Sequence, residues 1–442
     1  MKSEKKFVIF SGNIVHSIGP SEIELIENGF IIVEETKIVA IGASNDLETC
    51  KANLNIKKFH ETKLKPSQLL IPGFIDTHIH AVQYPNCGLG YDKPLLEWLN
   101  DYTYPMEKQM KNEEFAERVF DAVVNRTLSN GTTTAMYFAS LYEHISLLLV
   151  ESVIKHGQRA LVGKINMTVM APTDYVESEN DSIKKTIQFV NKVKKLCNPL
   201  VHPVITPRFA LSVDMPVMKT LGKIAREEDL HIQTHISENA NEVELVERIF
   251  GRKYAEVYDE AGLLTPKTIL AHGIHLSESE IDLIAERGAS ISHCPESNCL
   301  LRSGICKVKK LMDREVDVCL GTDVSGGASP SMINAMRAAI SSSINSTFVS
   351  NEKCECIDWK EAFYLATLGG ARALRMENQI GNFEKGKEFD ALIVDLDVKD
   401  SACDYLLTVS PMENLQKFIF TGDDRNILNV FVAGKQVRCY EL

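Results

Sequence analysis

The sequence is poor in the features that mark a secreted, membrane-bound or nucleic-acid-binding chain. Its opening, Met1 to Lys6, leads into only the short apolar run Phe7-Val8-Ile9-Phe10, too brief for a signal-peptide core or a membrane span. Positive charge is in deficit: 48 Lys and Arg stand against 60 Asp and Glu, a formal net charge of −12. No basic stripe offers itself to nucleic acid or to an anionic membrane, so a nucleobase, if the chain handles one, is expected as the free base. The eleven cysteines are odd in number and carry no framework spacing. That suits a reducing compartment and speaks against a disulfide scaffold, and a cytosolic protein is the expectation.

What is present is a chain of 442 residues, 44% of them hydrophobic, enough for one large domain and a small one. Residues 1–70 read as short strands and turns, with Phe7 to Phe10, Gly29 to Val33 and Lys37 to Gly42 rich in β-branched residues and free of helical period. Residues 381–442 share that texture in Phe389 to Asp395 and Asn429 to Gly434. One small β-sandwich domain built from both termini is therefore expected.

Residues 71–380 alternate strand-like and helix-like segments, the mark of a parallel sheet with helical crossovers. Eight strand candidates fall here: Phe74 to His80, Thr132 to Phe138, Ala160 to Met167, Val201 to Leu211, His231 to Ile236, Thr268 to His272, Ala289 to His293 and Val316 to Thr322. Between them lie amphipathic segments, one running from Pro216 through Val217, Leu221, Ile224 and Ala225, where the proline suits a helix start. Another, around Ile281 and Ile284, is preceded by the capping pair Ser277 and Glu280 and closed by Gly288. The fold class is α/β, a (β/α)8 TIM-type barrel.

The chemistry concentrates at the strand ends. Pro72-Gly73-Phe74-Ile75-Asp76-Thr77-His78-Ile79-His80 finishes an apolar run with two histidines whose two-residue spacing turns them to one face. His235 ends the fifth strand candidate, His272 the sixth, and Asp323 follows the eighth. Barrel active sites gather at the C-terminal ends of the strands, and all five residues lie on that rim. His78, His80, His235 and Asp323 suit one Zn²⁺, with Fe²⁺ as second choice, and one position left for water. A metal there would acidify the water towards neutrality. Asp323 could also accept its proton, or else cap a helix.

Glu238 lies three residues past His235, placed to shuttle protons or simply to sit at a helix start. His272 could hydrogen-bond the attacking oxygen, or be a satisfied core histidine. His293, Cys294 and Cys299 are not expected as ligands, because the tetrad already fills a site and Cys-Pro-Glu-Ser-Asn-Cys lacks a two-residue ligand spacing. The paired His-x-Glu and Pro-Cys-x-x-Cys signature of small cytidine-deaminase-type folds is absent. Lys164, a conceivable carbamylated bridge for a second metal, reads as lying early in its strand, so a mononuclear centre is expected.

These motifs resemble the amidohydrolase superfamily, and within it the guanine deaminases. The finer likeness lies in His80 to Asn86, Tyr91 to Leu99, Tyr102 to Pro105, Thr206 to Ser212, Gln233 to Asn239, His293-Cys294-Pro295 and Leu320 to Val324, in order from about residue 70 to about 395. The resemblance implies hydrolysis of guanine to xanthine and ammonia by a homodimer with one zinc per chain. It implies that Glu238 relays protons to the purine, that His272 steadies the attacking oxygen, and that Gln83, Arg208 and Phe209 contact the base beside His80, His235, Glu238 and Asp323. Gln83 could instead cap a loop, and Arg208 could serve an ion pair. The stretch from Tyr84 to Glu107 is expected to fold over the mouth and exclude water, with Trp98 anchoring it or lining the pocket. Other mononuclear branches, the adenosine-homologue deaminases and the triazine chlorohydrolases, would keep the metal set without needing Gln83 and Arg208-Phe209; a non-catalytic scaffold would have lost ligands, and none is missing.

Overall fold

Strands from the two ends of the chain pair into one sheet, and the long middle segment closes into a barrel beside it. The computed structural model describes residues 6–349 and 355–439; the opening Met1 to Lys5 and closing Tyr440 to Leu442 lie outside the described residues. β1 (Phe7–Ser17), β2 (Ile23–Glu34) and β3 (Lys37–Ala43) form an antiparallel meander. β4 (His60–Lys63) and β5 (Gln68–Pro72) share the other edge of β1 in parallel. β1 runs well past Phe10, because the ladder resumes beyond a β-bulge between Gly12 and Ile14.

The barrel follows as β6 (Phe74–His80), β7 (Thr132–Phe138), β8 (Arg159–Gly163), the short β9 (Ile165–Asn166), β10 (Val201–Pro207), β11 (His231–Ile236), β12 (Thr268–His272), β13 (Ser290–His293) and β14 (Val318–Leu320). Neighbours are parallel throughout, in the order β6-β7-β8-β10-β11-β12-β13-β14, with β9 beside β10. The crossover helices have the caps their sequences promise. Asp214 accepts the Val217 amide at 3.0 Å to start Met215–Glu227, and Ser277 and Glu280 form a reciprocal capping box before Glu278–Arg287, which ends at Gly288 with φ +68°.

Three strands are shorter than their apolar runs suggest. β8 breaks at Lys164, β10 gives way to a 3₁₀ turn at Ala210–Ser212, and β14 stops before Gly321. The tertiary reason at Gly321 is room: a Cβ there would lie 2.7 Å from the Cβ of His78. The first and last strands meet without a regular ladder. Thr77 donates its hydroxyl to Leu320 O at 2.9 Å, and the Asp323 amide donates to His78 O at 2.8 Å.

Ile75, Met136, Leu161, Val204, Ile269 and Cys319 point inward near the strand starts and pack against Leu374 and Ile380. This plug leaves the barrel interior open only toward the C-terminal ends. β15 (Ala391–Asp395), β16 (Ile427–Val432) and β17 (Lys435–Cys439) return to β5 and complete the terminal sheet, β17-β16-β15-β5-β1-β2-β3 with β4 also on β1. Phe10, Phe389 and Phe431 fill its core, with Phe10 and Phe389 stacked at 4.6 Å. Among the described residues no two cysteines form a disulfide, and no helix is long and apolar enough to cross a membrane.

Candidate active site

Four buried side chains converge at the barrel mouth. Nε2 of His78 and Nε2 of His80 lie 3.2 and 3.3 Å from the same Oδ1 of Asp323, and His80 Nε2 lies 3.1 Å from His235 Nε2. All four donor atoms fall within 4.8 Å of one another. Two imidazole nitrogens so close cannot both carry a proton. His235 Nδ1 lies 2.5 Å from Arg208 O, so it holds the proton and leaves Nε2 a lone pair facing inward. His78 Nε2 has no hydrogen bond of suitable direction to any neighbour.

Burial pushes the imidazole of His80 down to about 4 and that of His235 further below its ordinary value, which favours the neutral, ligating form. Burial alone would raise the Asp323 carboxyl, but hydrogen bonding and charge from His78 and the bond to His80 hold it well below the usual carboxylate range. Three inward lone pairs and one carboxylate oxygen are a donor set that fits a divalent metal such as zinc or iron. His78, His272, Cys294 and Asp323 make a second close grouping. Cys294, however, donates its thiol to Ser292 O at 3.5 Å and burial pushes it well up, so it offers a thiol and not a thiolate. His293 belongs to neither grouping, and Cys299 is exposed.

Two further groups face this cluster. His272 Nδ1 pairs with Asn298 Oδ1 at 2.8 Å, which turns Nε2 toward Glu238 Oε2 at 3.4 Å and Asp323 Oδ2 at 3.8 Å. Burial, reinforced by the charge of Asp323, raises the Glu238 carboxyl well above its ordinary value. That shift favours the protonated form, the direction a proton relay requires. Ser237, His272 and Asp323 adopt φ of +48°, +76° and +47° at the C-terminal ends of β11, β12 and β14. Left-handed backbone at non-glycine residues costs about 1–3 kcal/mol each and concentrates where a site is held in one geometry.

The opposite wall carries Gln83, Arg208 and Phe209, with Leu95, Trp98 and Leu99 closing over it. Behind this wall lies Glu107. Its Oε1 accepts from Gln83 Nε2 at 2.8 Å and Arg208 Nη2 at 3.0 Å; its Oε2 accepts from Arg208 Nη1 at 2.6 Å and the Tyr175 hydroxyl at 2.9 Å. The other end of Gln83 accepts the Ser325 amide at 3.3 Å. Burial would push the Glu107 carboxyl up, but the charge of Arg208 outweighs it and keeps it low, so the pair stays ionised. Trp98 both lines the pocket and anchors the lid, since its Nε1 donates to Leu89 O at 2.9 Å. A π-helical turn at Leu99–Thr103 joins the two short lid helices, Leu95–Trp98 and Tyr104–Gln109.

Residues 69–437 match the amidohydrolase family. The chain belongs to the amidohydrolase family. A guanine deaminase from Homo sapiens is 44% identical over 438 residues, covering 97% of this chain and 96% of its own. The crystal structure of a guanine deaminase from C. acetobutylicum, with guanine bound in its active site, superposes with a TM-score of 0.88 at 33% identity, over 97% of this chain and 99% of that one. An adenosine deaminase from Xanthomonas campestris with bound zinc reaches 0.83 at 27% identity, over 98% and 92%.

In this amidohydrolase His78, His80, Gln83, Arg208, Phe209, His235, Glu238, His272 and Asp323 come together around one site, and one expected placement is corrected. Lys164 lies just past the end of β8, not near its start, yet its ammonium is committed to Glu177 and to Ile165 O at 2.8 Å. What the sequence reading missed is the supporting layer. Glu242 accepts the Glu238 amide at 3.0 Å and the Tyr254 hydroxyl at 2.7 Å, and Tyr258 donates to His235 O at 2.7 Å. The capping-box pair Asn239 and Glu242 was the available signal for the first of these.

Proposed function

We propose that this amidohydrolase hydrolyses guanine to xanthine and ammonia, using one zinc ion held by His78, His80, His235 and Asp323. The observation that carries the reading is the pocket itself. Gln83, Arg208 and Phe209 share one cavity with His80, His235, Asp323 and Glu238, and a solved relative of the same fold has guanine in its active site. The zinc-bound deaminase of similar fold supports zinc over iron. Residues 71–380 form the catalytic barrel in this reading, residues 1–70 and 381–442 its small β domain, and the enzyme works as a cytosolic homodimer on a free base.

When bound, the metal supplies Lewis acidity that brings the pKa of a water into the neutral range. The protein does the rest. The Oδ2 of Asp323 is free to take the water's proton. Glu238 delivers its proton to the ring nitrogen beside the amino-bearing carbon, takes back the proton of the hydroxyl on the attacked carbon as the new carbonyl forms, and passes it to the departing ammonia; the proton held by Asp323 then restores Glu238, and His272 Nε2 steadies the attacking oxygen. Gln83 and Arg208 hydrogen-bond the lactam edge, and Phe209 bounds the ring. A site built for a carbonyl leaves polar groups unpaired when an aminopurine enters, which penalises adenine. The lid residues Trp98 and Leu99 exclude bulk water.

Ammonia release from guanine, adenine, S-adenosylhomocysteine and a chlorotriazine, compared on the purified zinc-loaded protein, tests the assignment. Release from guanine alone is expected. Release from the adenosine homologue instead, or chloride from the triazine, would move the chain to another branch of the family.

A further inference from the structure

The wall that would read the base is set by a residue that never touches it. Gln83 and Arg208 line the pocket, whereas Glu107 and Tyr175 stand behind them, fully buried. Glu107 accepts from both pocket residues at once, two bonds from the Arg208 fork and one from the Gln83 amide. A bidentate arginine pair fixes orientation as well as charge. Gln83 is held at both ends, by Glu107 and by the Ser325 amide, so its nitrogen and oxygen cannot exchange places.

The charge balance follows from the same contacts. Unpaired, the buried Arg208 would present a full positive charge to the pocket and draw an anion. Paired with Glu107, it offers its remaining N–H groups as donors with no net charge. That distinction matters for a deaminase of guanine, because the substrate is neutral while the product, xanthine, is a weak acid that is partly anionic near neutral pH.

Resting on the function proposed above, we infer that Glu107 is a positioning residue that sets both the hydrogen-bonding polarity of Gln83 and the neutrality of Arg208. The pocket thereby favours the neutral lactam-bearing substrate over its anionic product. Glu107 is thus a determinant of product release as well as of substrate binding.

The test compares purified, zinc-loaded wild type, Glu107→Gln and Glu107→Asp for guanine KM and kcat and for inhibition by xanthine. Glu107→Gln keeps the shape and removes the charge. Its xanthine inhibition constant, divided by its guanine KM, is expected to fall by about tenfold or more. A residue with a merely structural role would weaken both ligands together and leave that ratio alone. Glu107→Asp keeps the charge but withdraws the carboxylate by one methylene; its KM is expected to rise by about threefold or more with the ratio near wild type. An unchanged ratio in Glu107→Gln overturns the inference. Should that variant fail to fold, an unchanged KM in Glu107→Asp overturns it equally. No ammonia from guanine with the wild type overturns the proposed function and this inference with it, whereas wild-type turnover with an unaltered ratio overturns this inference alone.

Discussion

Asp76 reaches across the barrel seam to Thr322, accepting the threonine hydroxyl on Oδ2 at 2.6 Å and the threonine amide on Oδ1 at 3.1 Å. The same Oδ1 accepts the amide of His78 at 3.2 Å. One buried carboxylate therefore spaces a residue of the first strand from Asp323, the neighbour of Thr322 after the last. Asp76→Asn preserves volume and keeps one oxygen for the two amides, but its NH2 cannot accept the Thr322 hydroxyl. Its zinc affinity, measured by competition with a chromophoric chelator, is expected to fall about 10–100-fold, the usual effect of removing a group that orients a ligand. Unchanged affinity would mean that the seam holds the ligands without Asp76.

Glu238 and Asp323 are assigned separate proton tasks. Glu238→Gln is expected to keep its zinc and lose about 10²–10⁴-fold in kcat, the range for removal of a general acid–base. Asp323→Asn is expected to lose activity and part of its zinc. Metal analysis beside steady-state kinetics separates the two, and near-wild-type turnover in either variant would refute the proton-relay assignment.

The lid depends on one indole. Trp98 is 2% exposed, packs with Leu95, Tyr104 and Phe138, and ties its N–H to Leu89 O. Trp98→Ala removes a contact of about 3–5 kcal/mol in a buried setting, more than a short surface segment can lose and stay closed. Guanine KM should rise, and limited proteolysis should cut faster between Tyr84 and Gln109. A proteolysis rate equal to wild type would show that the lid is held elsewhere.

Arg159 joins the barrel to the terminal sheet. Wholly buried on β8, it donates to Glu388 Oε2 at 2.7 Å and to Asp390 at 3.1 and 3.2 Å. Arg159→Met strands the buried Asp390 and is expected to cost about 3–5 kcal/mol in urea unfolding. Burial pushes the Glu388 carboxyl up, but the charge and hydrogen bond of Arg159 outweigh it and leave it below its ordinary value. Stability from this pair is therefore complete above the unfolded glutamate pKa and lost as pH falls through the lower folded value. Glu388→Gln should flatten the acid limb of the stability profile; an unaltered limb would contradict the assignment.

Much of this was legible along the chain, because strand period and strand ends are local. His78 and His80 announce themselves by a two-residue spacing, and β6, β7, β11 and β12 begin and end where their apolar runs do. The supporting layer was not legible. Glu107 lies 24 residues from Gln83 and 101 from Arg208, inside a short Tyr-Pro-Met-Glu-Lys-Gln helix that reads like solvent-exposed sequence. Only the folded lid puts that carboxylate behind the pocket. The seam is similar: nothing in the sequence tells Asp76 from a surface aspartate until β14 closes on β6, 246 residues away.

The most direct test of the account is to strip the purified protein with a chelator, add back one equivalent of zinc, and follow conversion of guanine by the change in purine absorbance. The account predicts no conversion in the stripped protein and full recovery at one zinc per chain, with xanthine and ammonia formed in equal amounts. Conversion that persists without metal, or a zinc-loaded protein that leaves guanine untouched, would contradict it.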